Sequence, residues 1–297
     1  MMSWKWIATL TLGVLYPGGM AVASDRPDPF AQMSEQQKDS LAARIAAGVP
    51  RKPRVLVLGA QRGFHHESAS DAMAAIALLG QESGAFDTEL RTDFDLINDK
   101  GGDKMRFGFI PQGLGDFDAL VLVNTTGDWG LSEEAKRALI GFVRDKGKAI
   151  IGIHGALDAN YAWPEYAAMI GGGFGGHPLN SIDKPILNFP LVNEDEKSPI
   201  TRHWPTYFSH LNELYVPRNF SRQATHVLLR INQLKIDTQP AGQADIPVAW
   251  TRNYGAGRIF YSSIGHTRNS WRDPDVRKMY LEAIRWGLRL TSSAQDD

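Results

Sequence analysis

Four of the eight histidines stand where an α/β chain concentrates its chemistry. His66 follows an apolar run in Gln61-Arg-Gly-Phe-His-His-Glu-Ser68, and His154 ends another in Gly152-Ile-His-Gly155. His266 follows a third in Ile264-Gly-His-Thr267, and His177 comes after the glycine run 171–176, which permits a close backbone approach. Imidazoles aimed at one point bind a divalent metal, zinc or similar, or shuttle protons near neutral pH. Their spacings match no compact motif such as His-Glu-x-x-His, so only the fold can bring them together. His65, His203, His210 and His226 read as structural.

Three carboxylates add a second role. Asp128 closes Asn124-Thr-Thr-Gly-Asp128, Asp158 follows His154 by four residues, and Glu213 stands among apolar and aromatic neighbours in Asn212-Glu-Leu-Tyr215. Each can act as general acid or base or as a ligand, and Asp128 and Asp158 can equally cap a turn or helix. The catalytic candidates are therefore His154, Glu213 and Asp158, and the metal candidates are His66, His154, His177 and His266. Asp128, Tyr161, Trp163 and Tyr215 are the substrate-contact candidates, because flat rings with polar tips suit the faces of a sugar.

What must position these residues is a sheet. Segments 54–59, 119–124 and 148–153 are continuous apolar runs, as expected of parallel strands covered on both faces. Between them lie helical patterns, one opened by Ser68 and another by Ser132 and Glu133 and closed by Gly147. Strands alternating with helices predict a doubly wound, mostly parallel sheet of flavodoxin-like type, whose ligands lie beyond the carboxyl ends of the strands. From 178 to 243 the pattern turns irregular and proline-rich, which predicts an inserted segment of antiparallel strands and loops. Regularity returns at 247–250, 257–262 and a final helix 274–289.

Composition excludes several classes. With 43% hydrophobic residues in 297, the chain can bury a full core; 32 basic against 33 acidic residues give a net charge of −1, which argues against nucleic acid as a partner. The absence of cysteine removes disulfides, thiolate metal sites and a cysteine nucleophile. Residues 1–23 have a basic start, a short apolar run broken by Pro17, Gly18 and Gly19, and an Ala21-Val-Ala23 site. That is the pattern of a cleaved signal peptide, so a periplasmic or secreted protein with no lasting membrane insertion is expected. Residues 24–53 read as an N-terminal extension with a short helix at 34–47, residues 54–291 as one domain, and 292–297 as a tail.

Gly63-Phe-His-His-Glu-Ser68, Asn124-Thr-Thr-Gly-Asp128, Gly152-Ile-His-Gly-Ala156, Phe174-Gly-Gly-His-Pro178, Asn212-Glu-Leu-Tyr215, Pro247-Val-Ala-Trp250 and Gly265-His-Thr267 together resemble the ordered motif set of the ThuA-like (trehalose utilisation) family. The resemblance spans 54–290. It implies a fold similar to class I glutamine amidotransferases, with His154 where those enzymes carry their cysteine, and it implies a sugar-related substrate such as a disaccharide oxidised to a 3-keto sugar. Segment 97–115 is longer than the family's usual connection. The sequence therefore predicts an exported enzyme acting on a glycoside or 3-keto-glycoside, hydrolase or lyase, with no nucleotide cofactor. The alternative is a non-catalytic carbohydrate-binding protein that uses the same pocket.

Overall fold

The computed structural model describes residues 34–35, 51–102, 111–178, 186–232 and 245–291. The expected leader 1–23, nearly all of the extension with its helix 34–47, and the tail 292–297 lie outside the described residues. Met1–Arg51 and Lys52–Asp297 separate into two compact units, and everything below concerns the second.

Its centre is three five-residue strands, β1 (Arg54–Leu58), β3 (Ala119–Val123) and β4 (Ala149–Ile153), in which only Arg54 is not fully buried. Successive side chains of a strand point to opposite faces, so each strand feeds two cores. Val55, Val57, Val121 and Ile151 pack under α1 (Ala69–Ser83) and α4 (Pro274–Gly287). Leu56, Leu58, Leu120 and Ile150 pack under α2 (Glu133–Arg144) and α3 (Pro164–Ile170). Apolar residues at every position, rather than at every second one, are what such two-sided burial requires. By contrast β2 (Asp87–Arg91), at the edge, carries polar residues and is half exposed.

The nine-stranded sheet has the order β2-β1-β3-β4-β11-β10-β9-β6-β7. The first five strands are parallel, with β11 (Gly257–Ser262) beside β4. This is the predicted doubly wound arrangement, and it is consistent with the amidotransferase-like fold. The inserted segment supplies β6 (Ile186–Asn193), β7 (Tyr207–Glu213) and β9 (His226–Ile231). These are antiparallel, as expected, but they extend the main sheet rather than standing apart from it. The bridge is β10 (Pro247–Tyr254), a strand of eight residues that pairs antiparallel with both β11 and β9. A small ribbon of β5 (Gly173–Phe174) and β8 (Pro217–Arg218) completes the strands. Among the described residues no helix is long and apolar enough to cross a membrane.

Helix ends follow local chemistry. The Ser132 hydroxyl accepts the Ala135 amide to open α2, the Asp273 carboxylate accepts the Asp275 amide to open α4, and Gly84 closes α1 in the left-handed conformation.

Candidate functional site

Beyond the carboxyl ends of β1, β4 and β11, the rings of His66, His154 and His266 meet, with centroids 4.9–5.1 Å apart and planes nearly perpendicular. Glu213, the last residue of β7, reaches into the same point: its Oε1 lies 3.4 Å from His154 Nε2 and 3.2 Å from His266 Nδ1. One nitrogen or oxygen from each of the four lies within 4.8 Å of every other, close enough that small side-chain movements would bring all four onto a single metal ion. This set differs by one member from the four histidines expected. His177 stands outside it, with Nδ1 3.9 Å from the Glu213 carboxylate, and Glu213 takes the fourth place.

His154 is fixed by backbone. It leaves β4 at φ +41°, a left-handed conformation that side chains other than glycine seldom adopt, and it is fully buried. The next residue must be glycine, because a Cβ on Gly155 would come 2.8 Å from Thr126 Cγ2 and 3.0 Å from Asn124 Cα. His154 Nδ1 lies 2.8 Å from the Ser263 carbonyl, which can only accept, so Nδ1 carries the proton and Nε2 turns a lone pair into the cluster, 3.0 Å from His266 Nδ1. That is the tautomer of a metal-ligating imidazole with its second nitrogen anchored.

His66 is the inward-facing member of the His65–His66 pair: it is buried, whereas His65 is exposed. Its Nδ1 is buried without a hydrogen-bond partner, and its Nε2 lies 3.5 Å from the Tyr215 hydroxyl. An unpartnered buried ring nitrogen is costly unless something else binds there.

Protonation states fit a metal as well. Burial, helped by the charges of His154 and His266, lowers the His66 pKa to about 3, and burial likewise lowers that of His154. Burial by itself would raise the Glu213 carboxyl, but the neighbouring rings of His154 and His266 outweigh it and hold the group well below the usual carboxylate range. The cluster thus offers neutral imidazoles at His66 and His154 and an ionised carboxylate at neutral pH, the forms that ligate. Three nitrogens and one oxygen suit zinc and similar divalent ions.

Tyr215 forms one wall, its ring 4.1 Å from that of His154 and 5.5 Å from that of His177. Asp158 is partly buried and accepts the Tyr161 hydroxyl; burial raises its pKa, and the charges of His177 and Glu213 act on it. The half-exposed Tyr161 ring carries the Arg218 guanidinium at 4.7 Å. Trp163 instead packs against Tyr166 in the core beneath α2 and α3, and the exposed Asp128 accepts the amide of Gly130 within its own turn.

Two residues that sequence reasoning passed over matter here. Arg218 is one. The other is Asn212, fully buried, whose Oδ1 accepts the His266 amide at 3.3 Å while its Nδ2 donates to Ser270 Oγ at 2.7 Å. Its adjacency to Glu213 was the available signal. Asn212→Ala should weaken divalent-metal binding about 10–100-fold, as the loss of outer partners of metal ligands does. A zinc titration with an unchanged dissociation constant would show that Asn212 does not position His266.

These features define an α/β protein with a candidate metal-binding pocket at the carboxyl edge of its parallel strands. Residues 54–287 match the family described as ThuA, trehalose utilisation, and the chain belongs to that family. No curated protein sequence matches it significantly. Among solved structures it is similar to a ThuA-like protein from Bacteroides uniformis, at 20% identity and TM-score 0.63 over 80% of this chain and 92% of that one. A ThuA-like protein from Parabacteroides merdae is similar at 17% identity and TM-score 0.60 over 82% and 92%. At these identities the likeness establishes a shared fold.

Proposed function

We propose that this chain is an exported carbohydrate-processing enzyme that breaks the glycosidic bond of a glycoside or 3-keto-glycoside, as hydrolase or lyase, with a divalent metal held by His66, His154, His266 and Glu213. The observation that carries the reading is the convergence of three imidazoles and one carboxylate, from four separate segments, within 4.8 Å. A pocket that only binds sugar needs donors, acceptors and aromatic faces; it gains nothing from sinking titratable groups around one point. The family's link to trehalose utilisation supports a sugar as substrate.

Bound there, the cation would supply Lewis acidity to an oxygen of the substrate. The chain's own groups handle the protons. Asp158, its carboxyl pushed up by burial, is the group that delivers a proton to the departing glycosidic oxygen, and the Tyr161 hydroxyl keeps that carboxyl aimed. His177, partly exposed beside Glu213, takes the proton from water or from the carbon next to a keto group. Tyr215 walls the site and excludes water from the His66–His154 side.

The test is turnover of a panel of disaccharides and 3-keto disaccharides by zinc-supplied protein. Monosaccharide release is expected, slowed about 100-fold or more in Asp158→Asn, as removal of a general acid does. Sugar binding without turnover across the panel would leave a lectin-like binder instead.

A further inference from the structure

A hollow of about 520 Å³ opens beside the cluster, floored by His66 and His266 and bounded by Phe64, Ile186, Thr267 and Asn269. Its apolar walls come from two places. Phe64 belongs to the loop after β1, whereas Ile186 opens β6 directly opposite Glu213 in the β6–β7 register. The polar floor and apolar lip do not suit the same part of a ligand.

Phe64 is 62% exposed and Ile186 43% exposed, an unfavourable use of large apolar groups unless something covers them. Nor does Phe64 sit on a loose loop. The Arg62 amide donates to the Thr126 carbonyl at 2.9 Å, the Thr126 hydroxyl donates to the Phe64 carbonyl at 2.7 Å, and the His66 amide donates to the Gln61 side chain. The loop also presses so closely on its neighbour that a Cβ on Gly63 would meet Gly127 backbone at 3.0 Å. The chain therefore holds an aromatic ring out in solvent, edge-on to the candidate metal ligand His66 with centroids 4.8 Å apart.

We infer that Phe64 is the stacking platform for the second ring of the substrate and that the hollow is the leaving-group subsite. This rests on the proposed function, which puts the bond to be broken at the cluster; a two-ring ligand with one ring over His66 and His266 then has its other ring at Phe64 and Ile186. The shared chemistry is a ring with an apolar face, which a sugar or an aryl group supplies equally. Stacking on a ring already fixed in place loses little freedom on binding, so Phe64 separates two-ring from one-ring ligands.

The experiment is calorimetric titration of the full-length protein, supplied with zinc, using trehalose, phenyl α-D-glucoside and methyl α-D-glucoside. Wild type should bind at least one of the two-ring probes about tenfold more tightly than the methyl glycoside, the upper range for an aromatic pair. Which of the two gains identifies the second ring as sugar or aryl. Phe64→Ala should bring that ratio close to one by weakening the two-ring probe, and Phe64→Trp should keep it. A wild-type ratio near one, or a ratio that survives Phe64→Ala, overturns the platform while leaving sugar processing at the cluster intact. Failure of all three probes to bind overturns the platform together with the reading of the cluster as a site for unoxidised glycosides.

Discussion

Replacing His154 by alanine is expected to abolish stoichiometric zinc binding. The loss should exceed the roughly 100-fold that removal of an outer partner costs, because a donor itself disappears. His154 is the best single residue for the test, since its ring touches every other member: His66 and His266 at 4.9 Å between centroids, and Glu213 through Nε2 at 3.4 Å. Glu213→Gln makes the same point with little change of shape, removing the one charge that balances a cation. Stability provides an independent readout. A ligand that binds only the folded state at about a thousandfold excess over its Kd adds about 4 kcal/mol. For a domain of this size each kcal/mol moves Tm by about 2–4 °C, so zinc should raise the wild-type Tm by about 8–16 °C and leave both variants almost unmoved. Elemental analysis of untagged wild type that finds no retained metal after dialysis against zinc, with no shift in Tm, would end the metal reading and leave a network of hydrogen-bonded imidazoles.

Much of the frame was legible from sequence because burial on two faces leaves a signature that needs no tertiary knowledge. Runs such as Val55-Leu-Val-Leu58 and Ala119-Leu-Val-Leu-Val123 admit few other readings, and they turn out to be adjacent parallel strands. His66, His154 and His266 were legible for a related reason: residues just past parallel strands must share one edge, whatever lies between. Glu213 is a different case. It arrives from β7, the far edge of the sheet, through the β6–β7 hairpin and the hold of Asn212 on the 266–270 turn, and no periodicity encodes such a return. For the same reason sequence named His177 as the fourth metal candidate and Glu213 as a catalytic one, whereas Glu213 is the fourth member of the cluster.

Aromatics show the complementary limit. Tyr215 and Trp163 look alike as amphipathic rings near the site, yet one stacks on His154 and the other packs with Tyr166 inside the core. Sequence composition marks a ring as useful; only packing reveals which side of it is free. The direction of β10 was hidden too, since it is as apolar along Pro247-Val-Ala-Trp250 as any parallel strand, and it runs antiparallel to β11 because only Gly255 and Ala256 separate the two.

The largest expected loss of stability comes from Trp250→Ala, at about 3–5 kcal/mol for a large aromatic deleted from a close-packed core. Trp250 has no exposed surface; its ring lies 4.5 Å from that of Tyr261 and 5.0 Å from that of Phe220, and its indole N–H donates to the Ile170 carbonyl at 3.0 Å. That bond satisfies a carbonyl at the end of α3, where a helix has no partner of its own. Gly171 lies so close that a Cβ there would come 2.6 Å from the indole nitrogen, so the backbone is built around the ring and cannot collapse into the space without moving α3. Alanine therefore leaves both a cavity and an orphaned acceptor, and Tm should fall by about 6–20 °C. Trp250→Phe fills part of the space but not the hydrogen bond, and should lose about 1–3 kcal/mol. The damage should also reach the site, because Tyr261, on which Trp250 rests, donates its hydroxyl to the His154 carbonyl at 2.9 Å. Denaturant unfolding of the three proteins, each with and without zinc, separates the two effects. A Trp250→Ala protein within about 1 kcal/mol of wild type would mean that the site can repack and that its cavity cost is far below the range for buried aromatics. A protein destabilised as expected but with unaltered zinc affinity would show that the left-handed turn at His154 is held by Gly155 and Ser263 alone, without support from the Trp250–Tyr261 stack.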